Sequence, residues 1–217
     1  MAQLSIEVDS TVSPKTLLPP DREQLQLLSD TRVRTLALVD GLSQEDLDRR
    51  PAPGKWSVGE VLDHVLRAEG FVRGELRQLV ALARSDRPSI LRRSFAEVDI
   101  SMASIPKPLL SLFETPISLL GRFVPTSLRE LILRYRLIPA QNPSFATPER
   151  GRKGEDLRLD LAVSLEQTRG IVEQNADLDY RQLILQHPIL GRNDVAGLLR
   201  FLALHEQRHQ DQIRAAL

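Results

Sequence analysis

Apolar residues recur at steps of three and four through the long stretches of this chain, and that period constrains its fold more than any other feature. Val61, Val65, Ala68, Val72, Leu76 and Leu79 follow one another at this spacing, which puts them on one face of a helix. Leu157, Leu161, Leu165, Thr168 and Val172 repeat the pattern, as do Val195, Leu198, Leu202, His205 and His209. Aromatic residues are only 4% of the chain, and the periodic stretches are rich in the helix formers Leu, Ala, Arg, Glu and Gln. No run of alternating β-branched residues predicts a strand.

Start and stop signals divide the pattern into four long helices. The first is expected over 21–40, with Asp21 capping it after Pro19-Pro20, Leu25, Leu28, Leu36 and Val39 near one face, and Gly41 ending it. The linker Arg49-Arg50-Pro51-Ala52-Pro53-Gly54-Lys55 breaks helix. The second helix begins at Ser57, which with Glu60 has the spacing of a capping box, and continues to about 84. The third and fourth are expected over 155–175 and 193–217. Between the second and third lies a different segment, 85–152, chopped by prolines at 88, 106, 108, 116, 125, 139, 143 and 148. It is locally basic and too apolar for a linker, so it reads as a helical insertion with short helices at 108–122 and 126–138. Residues 1–20, with Ser5, Asp9, Ser10, Ser13 and Pro14, read as a loose tail without a signal peptide's apolar run. Residues 21–217 then form one domain. The expected fold is all-α: a four-helix bundle with a helical insertion between helices 2 and 3.

Composition removes several function classes. With 217 residues the chain can bury a core without staples. It has no cysteine, which excludes a disulfide scaffold, a thiolate metal site and a cysteine nucleophile. Formal net charge is zero, so no global field steers it to nucleic acid or a membrane surface. No apolar run is long enough to span a bilayer. The expected location is the cytoplasm.

Four histidines remain as candidates for chemistry. His205 and His209 are four apart and continue the apolar stripe of the last helix, so both rings point inward, with Cβ atoms about 6 Å apart. His64 lies between Val61 and Ala68 on the inner face of the second helix. It stands seven residues after Ser57, and His209 stands eight before Leu217. At about 1.5 Å per residue both lie some 10–12 Å from a helix end. If the insertion is a crossover that makes the second and fourth helices antiparallel, the three rings meet on one divalent ion. Zinc, nickel or a similar ion fits three imidazoles and leaves open positions. The plain alternative is three separate helix histidines.

His205-Glu206-Gln207-Arg208-His209 also has the H-E-x-x-H form of metalloproteases. The downstream ligand that such enzymes need is missing from the eight residues that follow. Glu206 is a weak candidate for a base and otherwise an exposed helix residue.

Leu42-Ser43-Gln44-Glu45-Asp46-Leu47, Arg50-Pro51 and Lys55-Trp56-Ser57 through His64 together resemble the first half of the DinB-like/YfiT-like superfamily. His187-Pro188-Ile189-Leu190-Gly191 and Phe201 through Ile213 resemble its ending, and Asn142-Pro143 with the stretch from Phe145 to Pro148 is similar to a loop before its third helix. The resemblance covers about 21–84 and 140–217. It implies an up-down-down-up four-helix bundle whose metal triad falls on His64, His205 and His209. It further implies a divalent-metal enzyme acting on a small-molecule substrate. Members of that family include transferases that use a low-molecular-weight thiol such as bacillithiol and a mycothiol-dependent isomerase, and some carry the name metal-dependent hydrolase. Thiol transfer to a small electrophile is the leading expectation, with hydrolysis and a non-enzymatic metal-binding or dimerising stress-response bundle as alternatives. A homodimer is compatible with all three.

Among the remaining residues, Trp56 is expected to pack at the start of the second helix, His187 to be a turn residue, and Arg92-Arg93 and Arg134 with Arg136 to lie on a solvated face. Leu109, Leu110, Leu112, Leu119 and Leu120 are expected to cover the bundle or a partner subunit.

Overall fold

A computed structural model describes residues 16–94, 146–188 and 190–217. The expected short helices at 108–122 and 126–138, Arg134 with Arg136, the leucines of 109–120 and most of the expected tail lie outside these residues.

Four long helices form the body: α1 (Pro19–Leu38), α3 (Val58–Arg84), α4 (Gly154–Gln174) and α5 (Val195–Arg214). The first starts earlier than expected. Pro19 and Pro20 fill its opening positions, where a missing N–H costs nothing, so Leu18 is the cap and Asp21 lies buried in the first turn. At α3 the capping box is present: Ser57 Oγ accepts from the Glu60 N–H, and the Glu60 carboxylate accepts from the Ser57 N–H at 2.9 Å. Asp194 caps α5 by accepting from the Gly197 N–H at 2.8 Å. One short helix is additional, α2 (Gln44–Asp48), closed by a capping box between Ser43 and Asp46. Its Leu47 is wedged where α3 and α4 both begin. A Cβ on Gly59 would meet the Leu47 carbonyl at 3.2 Å, and one on Gly154 would overlap the Leu47 side chain at 2.4 Å.

Contacts set the helix directions. Arg32 meets Glu206 while Thr35 meets Gln210, so α1 and α5 run parallel. Gly59 lies against Leu157 and Arg84 reaches Asn175, so α3 and α4 are parallel. His64, near the start of α3, meets His205 and His209 near the end of α5, so those two helices are antiparallel. The topology is up-down-down-up.

The expectation of no strands needs correction. Three short strands, β1 (Ile90–Arg92), β2 (Ile184–His187) and β3 (Gly191–Asn193), form a sheet in the order β1-β2-β3. Ile90 pairs with Ile184 in parallel and Leu185 with Asn193 antiparallel. Strands of three and four residues carry too little alternation to register as a period of two. Backbone pairing creates them, long-range between β1 and β2 and across a tight turn between β2 and β3.

The core has two apolar clusters. One lies near the sheet and includes Leu28, Leu76, Leu79, Leu185, Leu198 and Leu199. The other lies at the α2 end and includes Leu47, Val58, Val61, Leu62, Leu157, Leu161 and Ile213. Each fully buried leucine contributes roughly 1.5–3 kcal/mol. Among the described residues no helix is long and apolar enough to cross a membrane.

Candidate metal centre

The periodic stripes of α3 and α5 carry three imidazoles to one point. His64 and His209 are buried, and His205 is half-buried. The Nε2 atom of His205 stands 3.3 Å from that of His64 and 3.2 Å from that of His209. One donor nitrogen from each ring lies within 4.8 Å of the others. Nitrogens bound tetrahedrally at about 2.0–2.1 Å from one ion are themselves separated by roughly 3.3–3.4 Å. The two short separations therefore fit the edges of such a site.

Hydrogen bonds on the far side of the rings present the right atoms. His64 Nδ1 lies 2.7 Å from the Ala146 carbonyl, to which it can only donate, so its Nε2 keeps a lone pair. His209 Nδ1 lies 3.0 Å from Gln212 Oε1, while its Nε2 accepts from Arg208 Nη2 at 2.9 Å. The Ala146 and Gln212 contacts are the outer support that metal-binding imidazoles usually have, whereas Arg208 sits on the His209 nitrogen that faces the centre. Burial pushes the His205 pKa well below its ordinary value, and His209, Arg208 and His64 push it the same way. The ring stays neutral and available as a ligand.

Ala146 is held in place by Asp63, the residue before His64. The Asp63 carboxylate accepts from the Glu149 N–H at 2.7 Å, from Arg67 Nε at 2.6 Å and from Arg152 Nη1 at 2.7 Å. Burial alone would raise its pKa, but these donors outweigh that and hold it below the usual carboxylate range. Trp56 packs at the start of α3, as expected, and its ring centroid is 4.9 Å from that of His64. Phe201 lies 5.6 Å from His205 on the other side.

Glu206 is not the exposed residue expected. It is 2% exposed, and both oxygens accept from Arg32, at 2.8 and 3.0 Å. Arg32 also donates to Glu69 at 2.8 Å and to the Leu161 carbonyl, and Thr168 donates to Glu69 at 2.7 Å. One step along α5 turns a side chain by 100°, so Glu206 faces α1 while His205 faces α3. His187 ends β2 and its Nδ1 accepts from the Leu190 N–H at 3.1 Å, a turn role as expected. Arg93 is not simply solvated, since it pairs with the buried Glu75 at 2.9 Å.

Arg32, Asp63 and Glu69 went unnoticed in the sequence. Charged residues inside amphipathic helices look like solvated faces, and only the packing shows them buried. Ala146 acts through a backbone carbonyl, which has no sequence signature.

The profile of the DinB superfamily matches residues 27–213, a span that includes all three histidines. An uncharacterized protein of Bacillus subtilis (strain 168), YuaE, is 22% identical over 191 residues, covering 88% of this chain and 94% of that protein. No solved structure gives a significant match.

Proposed function

The chain belongs to the DinB superfamily, and from that premise we propose that it is a divalent-metal-dependent enzyme that transfers a small thiol to an electrophile. The observation that carries this reading is the convergence of His64, His205 and His209 with their Nε2 atoms turned inward. Zinc or nickel suits three neutral imidazoles. When bound, such an ion lowers the pKa of a thiol that reaches it and so raises the thiolate fraction.

The residues of the chain do the rest. Ala146 and Gln212 orient two of the rings, and Trp56 and Phe201 wall the centre with apolar surface. With no cysteine in the chain, the attacking sulfur comes from a cosubstrate. In the transfer, a bond forms between sulfur and the electrophilic carbon, the bond from that carbon to the leaving group breaks, and the leaving group departs with the electron pair. The thiol proton passes to solvent. Hydrolysis needs a base beside the attacking water, and the two carboxylates next to these histidines in sequence are committed, Glu206 to Arg32 and Asp63 to Arg67, Arg152 and the Glu149 N–H.

The test combines metal content with turnover. Elemental analysis of purified wild type should find close to one divalent ion per chain, and His205→Ala should lose most of it. Metal-loaded protein should then consume an electrophile only when a thiol from a panel is added. Absence of the ion in wild type, or turnover no faster than the metal-free protein with every thiol, overturns the proposal.

A further inference from the structure

We propose that the outer face of α4 is a contact between two copies of this chain, packed antiparallel about a two-fold axis that passes between Glu166 and Gln167. The inference stands apart from the reading of the three-histidine centre.

Among the described residues the large apolar side chains left exposed include Leu18, Val33, Ile90 and Leu217, which are scattered over the chain. Leu159 and Val163 are different: they are 63% and 43% exposed and lie one turn apart on α4. At 100° per residue, Leu159, Val163, Gly170 and Gln174 fall within about 60° of one another, opposite the buried Leu161. Beside them runs an open groove of about 660 Å³, lined by Val163, Gln167, Gly170, Ile171 and Gln174, with Arg77 of α3 at its rim. A ridge and a groove therefore share one face of one helix.

Gly170 points to what fills that groove. It sits inside α4, where glycine weakens a helix because it has the most backbone freedom to lose. Its φ is not left-handed, and among the described residues a Cβ there would meet only Gln174 Nε2, at an ordinary 3.7 Å. Packing among the described residues does not call for a glycine here, whereas Gly59 and Gly154 lie against Leu47. Close approach of a helix from outside does call for one. With the axis between Glu166 and Gln167, Val163 of one copy stands level with Gly170 of the other, and Leu159 stands level with Gln174. The ridge of each copy meets the groove of its partner, twice over, as a self-complementary contact requires. Only a second copy makes use of this matched spacing.

Charge agrees with the register. Such a two-fold axis keeps like flanks together, so the flank of α4 turned toward α1 meets itself. Arg169 lies on that flank, 3.0 Å from Ser29 of α1, and its own Glu166 and Glu173 are 3.4 and 3.7 Å away. Across the axis each Arg169 is offset from the other copy's Glu166 by two residue steps, about 3 Å along the helix, which gives two ion pairs between copies. The contact spans about 22 Å of helix from Leu159 to Gln174. That is short of a standard interface, so the dimer forms in the micromolar range rather than the nanomolar.

The test is sedimentation velocity of the full chain over a micromolar concentration series. Wild type should pass from monomer to dimer, and Val163→Asp and Gly170→Gln should each weaken the dimer by tenfold or more. Gly170→Gln should unfold at no lower temperature than wild type in dilute solution, because its helix gains propensity. The chain has no cysteine of its own, so Gln167→Cys, beside the axis, should form a disulfide between copies under mild oxidant much faster than Val33→Cys on α1. A wild type that stays monomeric throughout leaves this face to another occupant and overturns the proposal. A dimer that both substitutions leave intact, or Gln167→Cys linking no faster than Val33→Cys, shows that copies meet elsewhere and overturns it as well. Should circular dichroism show Val163→Asp unfolded, Gly170→Gln and the disulfide rates decide.

Discussion

Asp21 occupies the first turn of α1, where helix amides favour a negative charge. Burial and the nearby Asp194 and Asp179 outweigh this and push its pKa up to about 6. The folded protein therefore prefers the protonated acid. The stability this contributes is complete below about pH 4, the unfolded value, and is lost as pH rises through 6. Asp21→Asn should accordingly stabilise the protein by about 1–3 kcal/mol at pH 7.5 and change little at pH 4. Urea unfolding at the two pH values checks this, and an equal effect at both would refute it.

At the scale of elements, the segment from Ala146 to Arg152 works as a strap across the start of α3. Asp63 fastens it at the Glu149 N–H and at Arg152, Arg152 continues to Asp160 on α4, and the strap delivers the Ala146 carbonyl to His64. Loss of such outer support typically costs 10–100-fold in metal affinity. Asp63→Ala should weaken Zn²⁺ binding by that factor in a competition titration. Arg67→Gln should change it little, because Arg67 is more than a third exposed and its pairing is screened. Equal Zn²⁺ affinity in Asp63→Ala and wild type would show that the strap does not support the ligand.

Across the whole molecule, one buried charged layer touches all four long helices. Arg32 of α1 bonds Glu69 of α3, the Leu161 carbonyl of α4 and Glu206 of α5, with Thr168 of α4 completing Glu69. Burial pulls the Arg32 pKa down, but the two carboxylates raise it further, so the guanidinium stays charged. Removing the arginine leaves two carboxylates in a dry interior. Arg32→Met should cost about 3–5 kcal/mol, and adding Glu69→Gln with Glu206→Gln should recover much of that. Denaturant unfolding of the single and triple variants measures both. A loss below about 1 kcal/mol in Arg32→Met would mean that the layer does not pin the bundle.

The four long helices and the inward set of His64, His205 and His209 were readable because helical period is local, and a side chain's face follows from its residue number. The Ser57 and Glu60 cap was readable for the same reason. The tertiary structure alone decided which polar residues on those helices became buried. Arg32, Glu69 and Glu206 look in the sequence like ordinary surface charges, and their burial depends on how each helix is rotated about its own axis against the other three. It alone also brought β1 to β2, joining residues more than ninety positions apart, and placed the Ala146 carbonyl on His64. Backbone groups are the same at every residue, so only their meeting in space gives them a role.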